Sequence, residues 1–338
     1  MKRIFTLLFA VLTATTIMAQ MHGPMKFVGA SNMTVSTMSN DNPSDTVLFA
    51  MNGMESGNIT LPAMKGMQTI PSFTISGAKF TLGENHVVTF ADQTFSAKVT
   101  VDGEEKNITG SSLSGTYNMA DNSLMLTVVF QYGKMPFPMT YTVKGYYVKA
   151  VSNPITVTVG GQFTYNNDNV TYELRRYKDG KTDKLDVTVP SYSLTNTVMG
   201  DLTLGSYTVK GLVYDEAQGG YYRDYKNDGL SFHFKAVKNG ATAMDKDYEF
   251  AKEKPNNILV KYEGSNVSSI VNTFQMGAMP FGIVSVFSGA TTSINNITTT
   301  PHQHITTTPA AQYNLAGQRV DNNYKGIVIV NGKKYLRK

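Results

Sequence analysis

The stretch "SGTYNMADNSLMLTVVFQYGKMPF", residues 114–137, decides the fold. Leu124, Leu126, Val128, Phe130 and Tyr132 recur at every second position, so an extended strand here carries one apolar face. The pattern repeats along the chain. Phe95, Ala97, Val99 and Val101 alternate into Asp102-Gly103, a two-residue hairpin signal. Leu185, Val187 and Val189 form another set, and Leu230, Phe232 and Phe234 a third. Asn52-Gly53, Asp179-Gly180, Gly219-Gly220, Asp228-Gly229 and Asn239-Gly240 punctuate further strands. One helix is predicted, Ala243 to Lys254, with Met244, Tyr248 and Ala251 on one face and Pro255 as its stop. The expected class is all-β, with short antiparallel strands that suit barrels or barrel-like sandwiches.

Two echoes indicate a tandem repeat. "IPSFTI" from Ile70 returns as "VPSYSL" from Val189, and "KMPFPMTYTV" around Met135 returns as "AMPFGIVSVF" around Met279. The order is kept while the shifts differ, 119 and 144 residues, which places an insertion in the second copy, here read as 219–255.

The chain of 338 residues, 41% hydrophobic, is long enough for two such cores. Lys2 and Arg3, the apolar run Ile4–Leu12 and the small-residue exit before Gln20 read as a signal peptide over 1–19. No later segment is apolar for the roughly 20 residues a spanning helix needs, so no transmembrane span is expected. Cysteine is absent, which excludes thiol nucleophiles, thiolate metal sites and disulfides. The net charge of +5 is unevenly placed. From Gln312 onward six Lys and Arg face one Asp, and Lys2 and Arg3 add two bases; between them stand 22 bases and 24 acids. A slightly acidic body has no electrostatic footprint for phosphate backbones, so nucleic acid is not an expected partner.

"IPSFTISGAKFTLGENHVVTF", residues 70–90, followed by the 114–137 hairpin, resembles the calycin-like (lipocalin-type) β-barrel proteins secreted by Bacteroidetes-type bacteria. The resemblance implies a barrel over 22–149 and a second calycin-like domain over 150–290; it transfers no functional residues. After a Thr-rich linker, 291–311, the segment 312–338 resembles a C-terminal sorting-type (type IX-like) domain. That resemblance implies a small β-hairpin read by secretion machinery, and export to the cell surface.

The candidate sites are few. Tyr221, Tyr222, Asp224 and Tyr225 beside a Gly-Gly turn combine aromatic faces with a hydrogen-bonding carboxylate, the chemistry that grips a sugar or peptide; an ordinary edge strand gives the same string. Eighteen methionines read as core filler, as an adaptable apolar cavity lining, or, at Met51, Met54, Met64 and Met67, as soft Cu(I) ligands. No metal site and no cofactor are expected. Asp245, Asp247 and Glu249 lack the glycine and spacing of a calcium loop. His86 and His233 sit among strand residues with no adjacent carboxylate or nucleophile pattern, and no catalytic motif is found. The expectation is an exported, non-enzymatic protein binding a small lipid or glycan. The alternative is a structural or adhesive module with solid-packed barrels.

Overall fold

The computed structural model describes residues 23–65, 69–83, 86–277 and 279–289, together with short strands within 312–337. The chain divides into two compact units at 290/291.

The first unit begins with β1 (Met25–Val35), β2 (Met38–Met51), β3 (Ser56–Leu61), β4 (Met64–Lys65), β5 (Thr69–Ile70) and β6 (Phe73–Lys79). Then follow β7 (Thr81–Leu82), β8 (Val87–Val101), β9 (Glu104–Asn118), β10 (Ser123–Tyr132) and β11 (Met139–Val159). β11, β1, β2, β3 and β6 pair in that order on one side, and β11, β10, β9 and β8 on the other, eight strands around one core. The two open ends, β6 and β8, are joined by a side chain. A register shift in β8 swings out Gln93, whose Nε2 donates to Lys79 O (2.7 Å) while Lys79 N donates to its Oε1 (2.8 Å). A carboxamide thereby substitutes for one rung of the missing backbone ladder.

Inside, the alternation read from the sequence is realised. Leu124, Leu126, Val128, Phe130 and Tyr132 of β10 are all buried, and Phe73 meets Phe130 edge to face at 5.3 Å. Each such side chain contributes on the order of 1.5–3 kcal/mol by leaving water. Asp102 and Gly103 both have positive φ, as the tight turn between β8 and β9 requires.

The second barrel adds β12 (Phe163–Asp179), β13 (Thr182–Val189), β14 (Tyr192–Thr197), β15 (Gly200–Leu204), β16 (Tyr207–Asp215) and β17 (Gly220–Asp224). It ends with β18 (Ser231–Lys238), β19 (Ala241–Glu249), β20 (Asn257–Glu263), β21 (Asn266–Phe274) and β22 (Ile283–Ser288). β11, β12, β13, β16, β17, β20, β21 and β22 pair around a full circle, closed because β11 pairs both β12 and β22. β11 is thus shared: Met139–Val148 pairs β1, and Ile155–Val159 pairs β22. Lys26 to Glu173 (2.8 Å) and Arg175 Nη1 to Val28 O (3.0 Å) add links between the barrels beside it.

β14, β15, β18 and β19 form a separate four-stranded sheet whose inner face joins the second core. Here the sequence reading needs correction: Ala243–Lys254 is not a helix. β19 is an antiparallel partner of β18 across the Asn239-Gly240 turn, where both residues have positive φ. Met244 and Tyr248 are four apart, a spacing that satisfies a strand's period of two as well as a helix turn. The hairpin turn before them decides the outcome. Among the described residues there is no helix, hence none long and apolar enough to cross a membrane.

The C-terminal unit contains β23 (Gln312–Tyr313), β24 (Arg319–Val320), β25 (Gly326–Val330) and β26 (Lys333–Arg337), in sheet order β24-β23-β25-β26. The expected hairpin is β25–β26, with Val330 opposite Lys333. The signal-peptide segment and the Thr-rich linker lie outside the described residues.

Candidate functional site

The echo between Met135 and Met279 marks the last hairpin of each barrel. Gln131 Nε2 donates to Met135 O in the β10–β11 turn, and Gln275 Nε2 donates to Met279 O (2.6 Å) in the β21–β22 turn. The same amide lock, 144 residues apart, holds each Met-Pro-Phe corner open toward solvent. Phe137 and Phe281 are both about half exposed.

At Phe281 this exposure borders a cavity of about 340 Å³ between the end of the second barrel and the inner face of the extra sheet. Leu194, Leu202, Leu204 and Phe234 line the sheet side; Val159, Tyr165 and Ile283 line the barrel side. Met199, Met276 and Met279 supply thioethers, which adapt to irregular apolar shapes. The mouth carries Phe163 (49% exposed), Val198 (82%) and Phe281 (51%). Among the described residues, Thr197 and the phenol of Tyr165 are the only polar side chains in a lining with no charged residue. Large apolar groups are thus held in water around an apolar hole, an arrangement that proteins otherwise keep to a minimum. The volume falls at the lower end of the roughly 300–1,000 Å³ typical of small-molecule sites.

One layer further into the barrel the chemistry changes. Ser285 follows Ile283 on the same face of β22, and Tyr192 precedes Leu194 on the same face of β14. Tyr172, Tyr192 and Ser285 are buried, and their hydroxyls have no hydrogen-bond partner among the described residues. Burial pushes Tyr172 up to about 12 and Tyr192 well above the ordinary phenol range, so both stay neutral at any physiological pH. The Ser285 hydroxyl beside both phenols works against that rise, and burial outweighs it.

The tyrosine group expected from the sequence is dispersed. Tyr225 is 1% exposed, and its hydroxyl donates to Asn272 Oδ1 (2.8 Å) while Asn272 Nδ2 donates to Tyr207 OH (2.7 Å). It is a core residue and makes no surface contact. Tyr221 and Tyr222 point to opposite sides of β17: Tyr221 packs with Tyr214 and Tyr262, whereas Tyr222 is half-buried on the other face. Asp224 is exposed and paired with Lys226 at 3.2 Å. Of the methionines weighed as Cu(I) ligands, Met64 is buried, Met54 exposed and Met51 half-buried against the first core, and Met67 lies outside the described residues.

His233 does have carboxylate partners, contrary to the sequence reading. β18–β19 pairing brings Asp247 to Nδ1 (2.8 Å) and Asp245 to Nε2 (2.7 Å), with Lys235 on Asp245 at 3.0 Å. Both ring nitrogens are occupied and the cluster is exposed, so no nitrogen is left to activate a nucleophile. The hydrogen bonds to Asp247 and then Asp245 raise the His233 pKa above 6.5. A raised folded-state pKa means the stabilisation is complete below the unfolded value and fades as pH rises through the folded one. Proton NMR should therefore give a His233 midpoint above 6.5 that falls in Asp247→Asn; an unshifted midpoint would contradict the pairing.

No curated protein matches the chain. Among solved structures, a provisionally described outer membrane protein of Bacteroides fragilis is 15% identical, with 80% of this chain and 98% of that one covered and a TM-score of 0.26. Burkholderia oklahomensis agglutinin is 7% identical, with 78% and 95% covered and a TM-score of 0.18. At those scores neither bears on function. The family profile of the calycin-like beta-barrel domain matches twice, over residues 25–146 and 153–290, in step with the two cores and the repeated corner lock. The chain belongs to the calycin-like beta-barrel domain family and carries two copies of its domain.

Proposed function

We propose that this protein is an exported, non-enzymatic binder of a small, uncharged, apolar molecule, held in the Phe163–Val198–Phe281 pocket. The observation that carries the reading is the pocket itself, an apolar lining without a charge behind a mouth of half-exposed aromatics. Among the described residues no charged side chain lines the cavity, and the cation at its rim, Lys238, already donates to Val198 O (3.1 Å), so a neutral ligand is favoured. Export rests on the sequence of residues 1–19, and the basic C-terminal unit is proposed as the address read by the secretion machinery at the cell surface.

The chain has no tryptophan, which makes a direct assay possible. Val198→Trp places a single reporter at the mouth, on a side chain 82% exposed, where the fold should tolerate it. Titration with the neutral fluorophore N-phenyl-1-naphthylamine should quench that reporter saturably, with a Kd of roughly 1–10 µM by the usual affinity scale. Leu202→Trp in the otherwise unaltered chain, which fills the hole from the sheet side and is read by the dye's own fluorescence, should weaken binding at least about tenfold. Non-saturable quenching, or binding indifferent to Leu202, would sink the reading.

A further inference from the structure

Elsewhere in the first unit a cavity has the opposite chemistry: about 660 Å³, open, and lined by aromatic rings and charged groups together. Its wall is a ladder of three tyrosines on neighbouring strands. Tyr214 of β16 meets Tyr221 of β17 at 5.8 Å and 84°, and Tyr221 meets Tyr262 of β20 at 6.0 Å and 74°. The Arg176 guanidinium lies over the Tyr221 ring at 5.5 Å and reaches Asp183 at 3.3 Å. Lys149 Nζ donates to Ser265 O (3.0 Å) at the far side. Glycines 219, 220 and 264 leave the adjoining wall without side chains; a Cβ at Gly220 would come within 2.6 Å of Val260 O.

We propose that this cleft is a separate binding site for a short saccharide, of di- or trisaccharide size. Ring faces stack on the apolar side of a pyranose while planar guanidinium and carboxylate groups take its hydroxyls in pairs. Tyr214 is 58% exposed, free to offer its ring, and Tyr221 behind it is fixed by its two neighbours and Arg176. Burial raises the Tyr262 pKa to about 12, so its hydroxyl remains a donor. A peptide is the weaker occupant on backbone grounds. The strands that wall the cleft, β11, β12, β13, β16, β17 and β20, all lie inside the closed circle of the barrel with a neighbour strand on each side, so none is an edge strand offered for strand addition. Tyr221 comes from the group the sequence singled out; Tyr214, Tyr262 and Arg176 arrive by strand pairing and had no local signal.

The experiment is saturation-transfer NMR on the full mature chain with cellotriose, chitotriose, mannotriose and trigalacturonate. Saturable transfer to ring protons of at least one is expected. Tyr214→Ala should weaken that binding at least tenfold and Arg176→Gln at least fivefold, both at exposed positions that leave circular dichroism unchanged. N-phenyl-1-naphthylamine binding at the apolar pocket should be unaffected by either change, which separates this site from that one. Absence of transfer to all four sugars overturns the proposal. So does sugar binding indifferent to both variants, or displacement of the sugar by an unrelated peptide library at equal concentration.

Discussion

Replacing Asp186 by Ala is expected to cost about 3–5 kcal/mol, the range for removing one partner of a buried ion pair. Asp186 is 3% exposed at a register shift in β13. Its Oδ2 accepts from Nε (3.2 Å) and Nη2 of Arg175, and its Oδ1 accepts from Gly211 N (2.7 Å). The bulge exists to turn this carboxylate inward, where it answers a backbone N–H that the irregular ladder leaves over. Without it the half-buried guanidinium keeps its charge but loses its counter-ion, and its bond to Val28 O in the first barrel is loosened. For a chain of this size the thermal midpoint should fall by more than about 6 °C. Asp186→Asn, which keeps an acceptor, should fall between. A loss under about 1 kcal/mol in the Ala variant would mean that the ion pair is not formed.

Asn272→Ala should cost roughly 1–3 kcal/mol, because two buried phenols lose their bonds to the carboxamide and keep only the long one to each other. Asn272 is fully buried and is the link between Tyr207 and Tyr225, whose hydroxyls are themselves 3.3 Å apart. Burial raises both phenols well above the ordinary range, so neither can escape the cost by ionising. The rings stay packed against Phe250 at 4.9 and 5.2 Å. The variant should therefore remain folded while losing stability in urea without a change in slope. Asn272→Asp, restoring an acceptor but adding a buried charge, should be no better.

Those two networks explain what could be read in advance. Strands such as β10 were legible because their apolar faces and their turns are local: Asp102-Gly103 and the Leu124–Tyr132 alternation need no partner to be recognised. Tyr225 was misjudged because its partner Asn272 is 47 residues away and nothing nearby marks its ring as inward. His233 and its aspartates were separated in the same way until the Asn239-Gly240 turn folded one strand onto the other. The helix expected from Ala243 failed for a related reason, since an i, i+4 apolar pair fits both periods and a turn outside the window chose between them. The apolar pocket had one trace in the sequence, the repeated Met-Pro-Phe corner; its remaining walls come from strands as distant as β11 and β22.

The central claim, that the second barrel's apolar pocket is a ligand site, is tested most directly by native mass spectrometry of the protein purified from its own producer. The expected spectrum contains a bound, uncharged small molecule that dissociates on mild activation and is missing from Leu202→Trp prepared in parallel. A clean ligand-free mass for the unaltered protein, with no component of the producer's lipid extract able to displace N-phenyl-1-naphthylamine, would contradict the account and leave a solid-packed structural module.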